Sequence, residues 1–410
     1  MSRMGVAAGR AQPARSASAL EAIVVGGGIV GAAIALGLAQ QGRRVALVES
    51  RPPQPWSAEV ERDLRVYAIA PGSRRLLELL GVWSSVEEAR THAYRAMEVW
   101  DAGGGRALRL DAYESGQREL GHIVEAGLIQ SRLWQALERA GVQLHAPARV
   151  QGYAVETDAV GGQMAVLDLD RDTLRAPLLI AADGASSPLR AWAGIEVQGR
   201  DYAQSGLVAY IDTAQPHADT AWQRFLPGGP LAVLPCADGL SSIVWSLPTA
   251  EAERLCAADA PAFERALERA FDGRLGAMRL ASDRVAFALK LQLAKTYRSG
   301  PLLLAGDAAH AVHPLAGQGV NLGLQDAAEL LDLSNVAAAR GAPLHSPRLL
   351  DRYARRRRSE NQLAAYGFDG LNRLFSNDAV LPTLLRGHAL GLAGAIAPLR
   401  RLWMVRASGA

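Results

Sequence analysis

The sequence predicts an α/β fold in which a nucleotide-binding unit of parallel strands is interrupted by an antiparallel sheet and followed by a helical C-terminal region. Three observations predict it. A glycine-rich turn joins a strand to a helix at residues 26–31. Two further buried strands end in acidic turns, Asp183-Gly184 and Gly306-Asp307. Between those turns, residues 202–212 and 224–244 alternate apolar and polar residues, as strands with one face on a core do.

The first unit reads as strand 21–25, helix 32–41 and strand 43–48, ending at Glu49. Gly26 permits a tight turn, Gly28 lets the backbone approach a pyrophosphate, and Gly31 lets helix pack closely on strand. The helix start then faces the phosphates. Glu49 stands at about the ~20-residue distance expected of an acid that accepts from ribose hydroxyls. This order makes the uncharged run 22–42 a Rossmann-like βαβ unit rather than a signal peptide or membrane span. Residues 1–20, rich in Ala, Ser and Arg, read as a disordered leader.

Next come Arg65 before a short apolar run and a helix over 73–80. A hairpin follows over 96–110, turning at Gly103-Gly104-Gly105. Then come a helix over 123–137 carrying Gln130 and Arg132, and strands over 142–155 and 164–169. Residues 178–190 repeat the strand-to-acidic-turn pattern, with Ser187 and Arg190 on the turn. Residues 250–271 read as one helix, 285–293 as a strand and 302–304 as a buried strand. The arginine run 355–358 reads as a solvated helix face. The sequence divides into a nucleotide-binding domain of 21–90, 119–195 and 285–350, an inserted β-sheet domain of 91–118 and 196–284, and a helical region of 351–410.

Composition bounds the function. The chain has 410 residues, 49% hydrophobic, with net charge +3, enough for a large core. Lys290 and Lys295 are the only lysines. The arginines are scattered without interleaved aromatics, so no nucleic-acid role is assigned. Cys236 and Cys256 show no metal-ligand spacing, and no metal is expected. They fit a reducing compartment, hence the cytoplasm.

Three motifs stand in order: GGGIVG at 26–31, ADGASSPLR at 182–190 and GDAAHAVHPLAGQGVNLGLQD at 306–326. The triple resembles the FAD-dependent aromatic hydroxylases, the group typified by para-hydroxybenzoate hydroxylase. A finer resemblance is to the ubiquinone-biosynthesis flavin hydroxylases. It is carried by RVYAIAPGSRRLLELLGVW at 65–83, WQRFLPGGPLAVLP at 222–235, VWSLP at 244–248 and the third motif. It covers roughly residues 21–400.

The resemblance implies a glutathione-reductase-type FAD domain with an inserted substrate sheet. It implies an enzyme in which NAD(P)H reduces FAD, O₂ adds to give a C4a-hydroperoxide, and the ring of a polyprenyl phenol or quinol precursor of ubiquinone is hydroxylated. Gly26, Gly28, Gly31 and Glu49 would then hold adenosine and pyrophosphate. Arg65 and Arg132 would approach the pyrophosphate and ribityl region, Asp183 would support the pyrophosphate, and Asp307 would bond a ribityl hydroxyl. Pro314, Gly317, Gln318, Gly319, Val320 and Asn321 would lie along the isoalloxazine. Ala181 departs from the glycine frequent in the family.

No catalytic side chain is fixed. His310 and His313 are of the type suited to proton transfer near neutral pH, and Pro314 adjoins His313. Tyr210, Phe225 and Trp245 are substrate candidates by strand position. The alternatives are a hydroxylase of another aromatic, a prenyl reductase or a non-catalytic FAD-fold carrier. A halogenase is disfavoured because its Trp-x-Trp-x-Ile-Pro motif is absent. The Leu/Ala/Gly-rich stretch 388–405, with Arg400 and Arg401, suits a membrane surface or a partner, which would place the protein peripherally at the inner membrane.

Overall fold

The computed structural model describes residues 19–104, 106–159, 161–312 and 319–375. Residues 1–18 of the expected leader, the candidates His313, Pro314, Gly317 and Gln318, and residues 376–410 lie outside the described residues.

The chain is α/β. One sheet runs in the order Arg298–Ser299, Leu302–Leu304, Leu179–Ala181, Ala22–Val25, Val45–Val48, Gln143–His145. All its pairings are parallel except that of the 298–299 edge. Its strands are nearly all apolar because helices cover the sheet. The helices Ile29–Gln40 and Gly319–Ala339 pack closely on each other. A Cβ added at Gly37 would lie 2.4 Å from Leu331 Cδ1.

A second, nine-stranded sheet runs from His310–Ala311 through Val285–Ala294, Val197–Thr213, Ser241–Pro248, Gly229–Pro235, Thr220–Leu226 and Ala96–Asp101 to Leu108–Asp111, with Met278–Leu280 also on Val197–Thr213. Both its faces are buried. Leu207, Ile211, Val233, Ile243 and Trp245 meet Phe263, Leu267 and Phe271 of a helix on one face. Tyr210, Ala221, Ala232 and Leu234 meet Val66, Ala68 and Ile123 on the other.

The hairpin and the alternating strands stand where the sequence places them; four expectations change. Residues 285–294, grouped above with the nucleotide-binding segments, pair along Val197–Thr213 in the large sheet. The helix over 123–137 begins only at Ala126, because Gly121–Glu125 is a strand paired on both sides. The strand over 142–155 divides into Gln143–His145 and Val150–Thr157, separated by a stretch containing Pro147, which has no N–H for a ladder. The helix over 250–271 breaks into Thr249–Ala257 and Ala260–Phe271. There Asp259 Oδ1 accepts from Ala262 N at 2.7 Å and a proline follows in the first turn, an N-cap that starts a new helix.

Candidate active site

Four adjacent parallel strands carry the expected groups at their carboxyl ends. Ala22–Val25 leads into Gly26, Val45–Val48 into Glu49, Leu179–Ala181 into Asp183, and Leu302–Leu304 into Asp307. Ligands of open α/β sheets bind in the crevice outside such ends.

The glycines divide by geometry. Gly26 has φ +103°, and a Cβ on it would lie 2.2 Å from Ala182 O. A Cβ on Gly31 would lie 1.9 Å from Gly26 O. Both are required by packing. Gly28 differs, since no protein atom lies within 4 Å of its missing Cβ. It is the N-cap of the Ile29–Gln40 helix, and a side chain there would enter open space.

Glu49 ties this turn to its neighbour. Its Oε2 accepts from Gly27 N at 2.6 Å and its Oε1 from Arg51 N at 2.8 Å. Gly27 O in turn accepts from Gln130 Nε2 and Trp134 Nε1, both at 2.8 Å. These two residues, four apart, share one face of the Ala126–Arg139 helix. Arg132 stands on another face. Its guanidinium donates to Ser85 O at 3.3 Å and lies over Trp56. Arg65 has a side chain 70% exposed, 3.7 Å from the Asp63 carboxylate. The structure therefore brings Gln130 and Trp134 to the glycine turn, and neither Arg132 nor Arg65 contacts it.

Asp183 Oδ2 accepts weakly from Leu189 N at 3.4 Å, while Oδ1 is buried without a partner. Burial raises its pKa, against hydrogen bonds from Ser187 and the backbone and the nearby Arg190. Arg190 donates to Ala185 O at 2.7 Å and to Ala308 O at 2.8 Å, joining the two acidic turns.

Asp307 keeps solvent-accessible surface although protein surrounds it closely. Lost hydration there raises its pKa; His310 opposes this and Asp326 adds to it. Behind the turn lies a buried polar hub. Asp326 Oδ2 accepts from Gly306 N at 2.9 Å and meets His310 Nε2 at 2.6 Å. Its Oδ1 accepts from Arg357 Nε at 2.6 Å and Asn361 Nδ2 at 3.0 Å. Burial would push the Asp326 carboxyl up, but His310 and Arg357 hold it down at about 2. Two sequence readings are corrected here. Arg357 is not part of a solvated face, and His310, 1% exposed, is buried against the Asp326 carboxylate.

At the start of the Gly319–Ala339 helix, Val320 is buried, and among the described residues a Cβ on Gly319 would meet no side chain or neighbouring element within 4 Å. Asn321 donates to Ala68 O at 2.8 Å and accepts from Ala70 N at 3.0 Å. It clamps the Val66–Ile69 strand to this helix.

Of the three substrate candidates, Tyr210 and Phe225 share the sheet face turned towards Val66 and Ala68. Tyr210 Oη donates to Asp63 O at 3.0 Å. Trp245 points to the opposite face, into the helix-covered core, and is no substrate contact.

A family model described as FAD binding domain matches residues 19–365. The chain is 38% identical over 382 residues to 3-demethoxyubiquinol 3-hydroxylase of Escherichia coli K12, covering 92% of this chain and 94% of that protein. It is 35% identical over 391 residues to ubiquinone hydroxylase UbiL of Rhodospirillum rubrum, covering 95% and 89%. Among solved structures, p-nitrophenol 4-monooxygenase PnpA from Pseudomonas putida superposes with TM-score 0.76 at 20% identity, covering 95% of this chain and 98% of that one. That likeness shows the shared fold.

Proposed function

The chain belongs to the FAD-dependent monooxygenases of ubiquinone biosynthesis, and from that premise we propose that it hydroxylates the aromatic ring of a polyprenyl phenol or quinol, with NAD(P)H as reductant and O₂ as oxygen source. The observation that carries this reading is the convergence of Gly26–Gly31, Glu49, Asp183 and Asp307 on one crevice, with open space at Gly28 and an unpartnered buried oxygen on Asp183. These residues fit FAD. Gly28 would sit against the pyrophosphate at the helix start, Glu49 would accept from ribose hydroxyls, Asp183 Oδ1 would gain a partner, and Asp307 would hold the ribityl chain. Gly319, Val320 and Asn321 would border the isoalloxazine.

Bound FAD supplies the redox chemistry and oxygen activation; the protein binds, orients and excludes water. The backbone at the start of the Gly319–Ala339 helix favours negative charge near the flavin. The apolar layer between the large sheet and the Val66–Ile69 strand offers the substrate ring a dry surface, with Tyr210 and Phe225 on its wall. We read 21–90, 119–195 and 295–350 as a glutathione-reductase-type FAD domain, and 91–118 with 196–294 as the substrate domain. No helix among the described residues is long and apolar enough to cross a membrane. We assign access to a lipid substrate to a peripheral position at the inner membrane, with the Leu/Ala/Gly-rich stretch 388–405 and its arginines as the contact.

The test is purification of the full chain followed by NAD(P)H oxidation assays with a short-chain prenyl phenol. Bound yellow flavin, phenol-dependent oxidation and a hydroxylated product are expected. Failure to bind added FAD, or bound FAD with no hydroxylated product from any prenyl phenol, overturns the proposal.

A further inference from the structure

Away from the crevice, two histidines and a carboxylate converge between sheets. His92 lies in the Thr91–Tyr94 strand. His217 and Asp219 lie in the turn before the Thr220–Leu226 strand. One ligand atom from each of the three falls within 4.8 Å of the others. His92 Nε2 is 3.0 Å from Asp219 Oδ1. The His92 and His217 rings meet edge to face at 4.8 Å between centroids.

We propose that His92, His217 and Asp219 form a binding site for a divalent transition-metal ion, Zn²⁺ by ligand type. Two imidazoles and one carboxylate with an open fourth position match the donor set of tetrahedral zinc. Bonds of about 2.0–2.1 Å place tetrahedral ligand atoms roughly 3.3 Å apart, close to the His92–Asp219 separation.

The tautomer of His217 is already suitable. Its Nδ1 is unprotonated and accepts from Asp219 N at 3.2 Å, a bond that a metal on Nδ1 would replace, while the ring also bonds the Cys236 backbone. A ligating histidine commonly donates its second N–H to a carbonyl in this way, which fixes ring orientation. His217 is 7% exposed, whereas the His92 and Asp219 side chains are 23% and 37% exposed, leaving an entry path.

The backbone supports the same reading. Ala218 and Asp219 both adopt left-handed φ, 50° and 52°, a costly state for two consecutive non-glycine residues. Arg95 lies 3.8 Å from Asp219 Oδ2; Oδ1 faces His92 Nε2, and a metal would replace the hydrogen bond between them. The ion would staple the Thr91–Tyr94 strand to the 217–219 turn, beside the apolar layer that holds Ala221 and Tyr94.

The test uses the full chain with its FAD, stripped with chelator and titrated calorimetrically with Zn²⁺, with Co²⁺ absorption as a second measurement on the unmodified protein. One saturable site per chain and the visible bands of tetrahedral Co²⁺ are expected. His92→Gln and Asp219→Asn should each weaken Zn²⁺ binding at least about tenfold and abolish the Co²⁺ bands. Absence of saturable binding to the unmodified chain shows an ion pair only and overturns the proposal. So does Zn²⁺ affinity unchanged in His92→Gln.

Discussion

Arg357 Nε donates to Asp326 Oδ1 at 2.6 Å inside the protein, and the other Asp326 oxygen accepts from Gly306 N at 2.9 Å. One carboxylate thus links the long C-terminal helix Pro347–Phe375 to the turn presenting Asp307. Replacing Arg357 with Met leaves a buried charge short of a partner, which costs about 3–5 kcal/mol. We expect Arg357→Met to lose that much in urea unfolding and to release FAD more readily. Arg357→Lys should recover only part, because an ammonium cannot serve Asp326 and Asn361 in the same plane. Unchanged stability in Arg357→Met would show that the hub is dispensable.

The same hub sets an acid limit. Asp326 titrates at about 2 in the folded chain, against about 3.9 for an unperturbed carboxylate. A folded value below the unfolded one means the stabilisation is complete above about pH 4 and is lost as pH falls from there towards 2. Stability from denaturant unfolding should therefore drop through that window. A flat profile there would contradict the pairing.

Much of the crevice is legible in the sequence because each part is local. A short apolar run, then Gly26 or Asp183-Gly184 or Gly306-Asp307, specifies a strand end within a few residues. The hub is not local. Asp326 and Arg357 lie 31 residues apart, and an arginine run carries no sign of which member turns inward. Trp245 fails for another reason. Alternation separates the two faces of Ser241–Pro248, but both faces are buried, so polarity does not say which meets substrate. On the Ala126–Arg139 helix, nothing in the sequence marks Gln130 and Trp134 as the pair that holds Gly27 O, because helical rotation decides which side chains reach a neighbouring turn.

The two faces of the large sheet predict separable effects. Phe225→Leu removes three side-chain carbons from a buried position and should cost about 1–3 kcal/mol. Lying on the proposed substrate face, it should change KM for the phenol. Trp245→Phe removes an indole N–H that is buried without a partner, on the helix-covered face. It should leave KM and kcat unaltered while shifting the unfolding midpoint. A KM effect from Trp245→Phe equal to that from Phe225→Leu would remove the assignment of faces.

Gly28 and Gly31 give the sharpest contrast, because the same added methyl meets different surroundings three residues apart. At Gly31 it lies 1.9 Å from the Gly26 carbonyl oxygen, which cannot move without opening the turn. Overpacking of this kind costs about 1–3 kcal/mol or more, so Gly31→Ala should lower the stability of the apoprotein itself. At Gly28 the backbone is extended, φ −66° and ψ 178°, and the methyl enters open space. Gly28→Ala should therefore fold with a loss of about 1 kcal/mol or less, the scale of an altered N-cap. If that space receives a pyrophosphate, the methyl excludes it. Titration of apoprotein with FAD, followed by flavin fluorescence, should then show binding strongly weakened in Gly28→Ala despite near-normal unfolding. Normal FAD affinity in Gly28→Ala would mean that the phosphates lie elsewhere, and the proposed crevice would have to be redrawn.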